Sequence, residues 1–158
     1  MSQQLRVGLI GTGRIGDVHA RSVSAHPDTV LHRVADVFLE SAQRVAGQFG
    51  GEATDNPESI FSAGDIDMVI IASPTSTHID LIDRAIDAGI PALCEKPIDL
   101  DIERVDRLRE KANSTSVPIG LGFNRRFDPH FASVHERTQA GDIGTLEQLL
   151  LTSRDPAP

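Results

Sequence analysis

Leu5-Arg-Val-Gly-Leu-Ile10, followed at once by Gly11-Thr-Gly13-Arg14-Ile15-Gly16, decides how the rest of the chain is read. An apolar run of strand length closes on three glycines, and Asp36 stands twenty residues beyond the last of them. Glycine-rich turns are common, so a GxGxxG spacing alone carries little. One that closes a strand, opens a helix and is answered by an acidic residue at the end of the next strand points to a bound dinucleotide. Gly11 permits the tight turn, Gly13 lets the backbone approach a pyrophosphate, and Gly16 lets helix and strand pack closely. The helix that opens at Ile15, just after Arg14, then offers free backbone N–H groups and a partial positive charge to the phosphates.

Asp36 ends the run Val30-Leu-His-Arg-Val34-Ala35, which reads as the second strand, so its carboxylate is expected to face the adenosine ribose. A carboxylate there accepts hydrogen bonds from both ribose hydroxyls and repels a 2′-phosphate. Val37 and Phe38 follow, with no Arg or Lys to receive that phosphate, which favours NAD over NADP as cofactor. The plainer alternative makes residues 11–16 a tight strand-to-helix turn and Asp36 a strand cap.

With 158 residues the chain is sized for one domain and part of a second. The net charge of −8 argues against nucleic acid or an anionic membrane as partner. No apolar run approaches the roughly 18 residues that a membrane span requires. The N-terminal Met-Ser-Gln-Gln leads into a strand without the pattern of a signal peptide, so a cytoplasmic location is expected. The single cysteine, Cys94, excludes an internal disulfide and speaks against a structural zinc site; no metal is expected.

Short apolar runs alternate with helical periodicity along most of the chain. Helices are expected over residues 15–25, 39–49, 77–88 and 101–112, with a helical turn from Pro57. Met68-Val-Ile-Ile-Ala72 is the clearest buried strand, because a parallel strand covered on both faces needs an unbroken apolar run. Residues 53–54, 91–94 and 118–123 supply further strands. Such alternation predicts an α/β, Rossmann-type doubly wound parallel sheet over residues 1–123. Beyond it, residues 127–140 read as one more helix and Thr145-Leu-Glu-Gln-Leu-Leu-Leu-Thr152 as a strand with nothing after it to pair with. Residues 124–158 are therefore expected to be a linking helix and the start of an incomplete second α+β domain for substrate binding and oligomerisation.

Four segments, Gly11-Thr-Gly-Arg-Ile-Gly16, Ser73-Pro-Thr-Ser-Thr-His78, Cys94-Glu-Lys-Pro97 and Gly122-Phe-Asn-Arg-Arg-Phe-Asp-Pro129, resemble those of the Gfo/Idh/MocA oxidoreductases, and among them the inositol dehydrogenases. The Glu-Lys-Pro at the end of the fifth strand is the most specific of the four. The resemblance covers the whole chain but only about the first half of a typical member. It implies hydride transfer from a cyclic polyol, myo-inositol giving the 2-ketone, to NAD. Lys96 would be the catalytic lysine, Glu95 would face the nicotinamide ribose, and Ser73, Pro74, Thr75 and His78 would contact the nicotinamide half. Asn124 would approach the nicotinamide and Arg126 a polyol hydroxyl, and a homo-oligomer is expected of the full-length form. The family's catalytic histidine sits in a D-x-x-x-H motif at the head of a second-domain helix, and these residues carry no such segment, since Asp17-Val-His19 and Asp128-Pro-His130 have the wrong spacing and context. The chain is thus expected to be inactive alone. Two alternatives stand: a non-catalytic NAD-binding module or subunit completed by another chain, and a dehydrogenase of the same family acting on another sugar.

Several of these residues also have plainer readings. Lys96 at the carboxyl end of a parallel strand can hydrogen-bond a reacting hydroxyl and join a proton relay; otherwise it is a solvated lysine. Pro97 restricts the residue before it to an extended conformation. Thr77 reads as the N-cap of the following helix. His78 is either a cofactor contact or a first-turn helix residue. Arg14 lies along the pyrophosphate or in solvent, and Arg125 and Arg126 are equally a solvated pair. Cys94 reads as a buried strand residue.

Overall fold

A computed structural model describes residues 4–154. The chain divides into two compact units between Gly122 and Phe123. In the first, strands β1 (Leu5–Ile10), β2 (Thr29–Ala35), β3 (Glu52–Thr54), β4 (Met68–Ile71), β5 (Ala92–Cys94) and β6 (Ile119–Leu121) alternate with helices. These are α1 (Arg14–Ala25), α2 (Leu39–Phe49), α3 (Glu58–Ser62), α4 (His78–Ala88) and α5 (Ile102–Asn113). The strands form one parallel sheet in the order β3-β2-β1-β4-β5-β6. The Rossmann-type doubly wound fold expected from the sequence is the fold observed.

Strand alternation explains why the sheet is covered on both faces. Val7 and Leu9 of β1 and Ile70 of β4 join Ala20 and Val23 of α1 and Ala42 and Val45 of α2 in one core. Val69 and Ile71 of β4 point the other way, into a second core with Ile60 of α3, Ile82 and Ala85 of α4 and Leu108 of α5. Gly8 serves that second face by absence: a Cβ on it would stand 2.7 Å from Cγ2 of Ile60, so glycine lets α3 seat on β1. Chain order reverses between β1 and β4, which leaves a crevice beyond their carboxyl ends.

Three local expectations need correcting. Thr77 closes a 3-10 turn, Thr75–Thr77, and makes no capping bond to α4. Its hydroxyl instead lies 2.6 Å from the Ser73 hydroxyl and donates to the Pro74 carbonyl at 2.8 Å. In the second unit, the single helix expected over residues 127–140 is a 3-10 turn, Asn124–Phe127, followed by α6 (Pro129–Gln139). Asp128 precedes a proline, which disfavours helical backbone there, and it caps α6 by accepting from the His130 and Phe131 amides. Residues 145–152 form no strand. A strand needs a neighbour to satisfy its amides, and among the described residues no strand pairs with this segment. Leu149, Leu150 and Leu151 are exposed. No described helix is long and apolar enough to cross a membrane.

Candidate dinucleotide site

The turn between β1 and α1 is built around its glycines for different reasons. Gly11 has φ +94, and a Cβ on it would lie 2.5 Å from the Ser73 amide nitrogen. A Cβ on Gly16 would run into the Gly11 carbonyl. Those two positions are glycine because the protein itself leaves no room. Gly13 differs: its backbone is extended, with φ −69, and a Cβ on it would meet nothing within 4 Å. Its space opens on the side where a pyrophosphate would approach. Gly13 also serves as the N-cap of α1 without any side-chain cap, so the first-turn amides remain free for an anion.

A groove of about 460 Å³ runs over this turn, lined by Gly13, Arg14, Ile15, Asp36, Ser73 and Pro74 among others. Asp36, Val37, Ser73 and Pro74 also line an adjoining apolar slot of about 230 Å³ that ends on Pro57 and Leu81. One oxygen of Asp36 accepts from the Thr12 amide at 2.8 Å and the Thr12 hydroxyl at 2.6 Å, and the other from the Phe38 amide at 3.0 Å. A carboxylate offers about four acceptor sites, so capacity for a ribose hydroxyl remains. Burial alone would raise the Asp36 pKa, but the Thr12 hydroxyl and the Phe38 and Thr12 amides together hold it below the ordinary carboxylate value. The group stays ionised, as discrimination against a 2′-phosphate requires.

Two partners of the turn carry no motif signal. Thr12 is nearly fully buried under Asp36. Arg44, on α2, donates to the Thr12 carbonyl at 3.0 Å and pairs with Asp17 at 2.9 Å, joining α2 to the start of α1. Nothing in a helix-face arginine announces such a role. Its partner Asp17 would have been the clue, as a first-turn acid beside the phosphate turn.

The loops after β4 and β5 complete the edge of the first unit. Ser73 and Thr75 are half-buried and Pro74 exposed. His78 is 2% exposed, with its ring between two carbonyls: Nδ1 lies 2.8 Å from the Pro97 oxygen and Nε2 2.9 Å from the Ser73 oxygen. The ring is thus buried, with both nitrogens facing protein carbonyls. Glu95 likewise has partners within the protein. One of its oxygens lies 2.8 Å from Nε2 of His19 on α1, and the other accepts from the Lys96 amide at 3.3 Å. Its carboxylate thus faces α1 rather than open groove. Gly122 leaves the room for it, since a Cβ there would fall 2.9 Å from the carboxylate. Lys96 and Pro97 are exposed at the carboxyl end of β5. Cys94 is buried, and burial, then the charge of Glu95, pushes its thiol up to about 12.

In the second unit Asn124, Arg125 and Arg126 are exposed on the 3-10 turn, with the Arg125 guanidinium 5.2 Å from the centre of the Phe131 ring. Among the described residues, no group of three or more His, Cys, Asp or Glu side chains is placed to hold a metal ion.

A doubly wound sheet with an uncapped glycine turn and an acidic residue after β2 defines an NAD-binding domain. Residues 5–123 match the family described as "Oxidoreductase family, NAD-binding Rossmann fold", GFO_IDH_MocA, and the chain belongs to that family. It is 48% identical over 153 residues to the inositol 2-dehydrogenase of Rhizobium meliloti (strain 1021), covering 97% of this chain and 46% of the relative. The myo-inositol 2-dehydrogenase of Thermotoga maritima is 36% identical, again over 46% of its length. The chain thus spans just under half the length of the curated relatives it matches. The crystal structure of a myo-inositol dehydrogenase from Corynebacterium glutamicum superposes with a TM-score of 0.92 at 55% identity, covering 98% of this chain and 46% of that one. A scyllo-inositol dehydrogenase from Lactobacillus casei, solved with NAD(H) and scyllo-inositol bound, gives 0.84 at 29% identity, covering 90% and 43%. The cofactor is NAD, and the chain is an oxidoreductase domain related to the inositol dehydrogenases.

Proposed function

We propose that these residues form the NAD-binding part of an inositol 2-dehydrogenase. The observation that carries the reading is Glu95-Lys96-Pro97 at the carboxyl end of β5, in a chain so similar to proteins named for that activity. NAD, when bound, supplies the hydride acceptor. The glycine turn and the start of α1 hold its pyrophosphate, and Asp36 takes a ribose hydroxyl through its remaining acceptor capacity. Lys96 orients the ring hydroxyl by hydrogen bonding to its oxygen and stabilises the negative charge that develops there as the proton leaves. The roles of Asn124 toward the nicotinamide and Arg126 toward a polyol hydroxyl rest on their motif alone. The domain division proposed is residues 1–123 for NAD and 124–158 as a link and the start of a further domain, in a cytoplasmic homo-oligomer.

The one D-x-x-x-H spacing in these residues, Asp28-Thr-Val-Leu-His32, runs into β2 and does not head a helix of a second domain, so the family's acid/base segment is not among them. General-base catalysis contributes roughly 10² to 10⁴ in rate, so the 158 residues alone are expected to bind NAD without useful turnover. Calorimetric titration should give NAD⁺ an affinity at least about tenfold above that of NADP⁺, as electrostatic exclusion by Asp36 requires. Equal affinities would overturn the role of Asp36. Fused to the remaining half of the Rhizobium meliloti relative, the chain should form NADH with myo-inositol, and Lys96→Ala should abolish turnover while leaving NAD⁺ affinity intact. NADH formation with another sugar but not with any inositol would reassign the substrate.

A further inference from the structure

We propose that His19 and His78 are positioning residues that hold the Lys96 turn in place from its two sides, so that the lysine is fixed before any substrate arrives. The inference rests on Lys96 acting as the catalytic lysine. Its side chain is exposed and, among the described residues, forms no ion pair, so its aim depends on its backbone. The residue before it, Glu95, is gripped by His19 at 2.8 Å, and the same carboxylate accepts from the Lys96 amide. The residue after it, Pro97, has its carbonyl 2.8 Å from Nδ1 of His78. A carbonyl only accepts and a neutral imidazole carries one N–H, so the brace takes the tautomer with the proton on Nδ1, toward Pro97.

The two histidines come from different elements and join the lysine turn to different parts of the NAD groove. His19 lies on α1, whose N-terminus is the pyrophosphate end. The other nitrogen of His78 reaches the Ser73 carbonyl at 2.9 Å, in the loop that lines the groove. Gly122 clears the space that the Glu95 carboxylate fills, and His78 is buried although histidine is a polar residue with other places to be. A catalytic group misplaced by an ångström loses a large part of its effect, which gives such bracing a function.

Asparagine reaches about as far as Nδ1 of histidine and glutamine about as far as Nε2, and this separates bracing from mere filling of space. Backbone ¹⁵N order parameters of Lys96 and Ile98 in the 158-residue chain report the turn directly. They should be near 0.85 in the native chain and fall below about 0.6 in His19→Ala and His78→Gln. They should recover in His19→Gln, which restores a donor to Glu95, and in His78→Asn, which restores one to Pro97. In the fusion, His19→Ala should lower kcat about tenfold with KM for NAD⁺ unchanged. Unaltered order parameters in His19→Ala, or equal loosening by His78→Asn and His78→Gln, would overturn the proposal. Should the buried His78 variants not fold, the His19 pair decides alone. A failed role for Lys96 would look different: Lys96→Ala would retain turnover while the histidine variants still loosened the turn.

Discussion

Thr12 places a hydroxyl and an amide on one oxygen of Asp36, so the acid proposed to read the ribose is held by the protein itself. Thr12→Val keeps the amide and removes the hydroxyl; a hydrogen bond to a charged group contributes about 1.5–3 kcal/mol, part of which should appear as weaker NAD⁺ binding in a titration. Arg6 and Asp67 show the same chemistry without a ligand, with the guanidinium 3.0 Å from each carboxylate oxygen. The Arg6 side chain, and then its amide, hold the Asp67 carboxyl down to about 2 against an ordinary 3.8. A folded pKa below the unfolded one means a stabilisation present above about pH 4 and lost as pH falls through 2. Asp67→Asn should therefore flatten the fall in thermal midpoint over that window, and an unchanged acid limb would assign the loss to other carboxylates. Cys94, with its thiol at about 12, should resist a thiol reagent at pH 8 until the protein unfolds. At this scale the sequence was legible where a motif names both residue and spacing, as for the close approach that requires glycine at Gly11 and Gly16. It was silent for Arg44, and it did not show the partners of His78 and Glu95, which lie 19 and 76 residues away in the chain.

Among the elements, α1 and α2 meet through Arg44, whose two contacts close the phosphate turn from outside. The side chain is half exposed, so Arg44→Met should cost under about 1 kcal/mol of stability. Its effect should instead fall on NAD⁺ affinity, which calorimetry would read, because the Thr12 carbonyl loses its anchor. Gly8→Ala is the reverse case. It forces Ile60 to move and should destabilise by about 1–3 kcal/mol in a denaturant titration, with NAD⁺ binding unaffected once folded. Element type was legible from periodicity throughout the sheet, since β4 must be apolar on both faces and α4 on one. Element ends were not. Whether residues 145–152 become a strand is a property of the neighbour, and no pattern within a segment supplies a neighbour.

For the whole molecule, every residue lining the NAD groove lies in the first unit, from Ile10 to Leu81. A polypeptide of residues 4–122 should accordingly keep most of the NAD⁺ affinity of the whole chain, and what it loses in a titration measures the contact proposed for Asn124. The bound anion stands against a protein of net charge −8, so the local field of α1 and its free amides must oppose the field of the molecule.

Gly13 is the one glycine of the turn that the fold does not need, since its backbone is ordinary and its side-chain direction is empty. Gly13→Ala should give a twin protein that is equally folded and blind to NAD. Ligand binding adds stability that grows with the logarithm of free cofactor concentration above Kd. Compared in living cells, the abundance of the twins would show what share of the protein's lifetime comes from its own sheet and what share from the cofactor pool it samples.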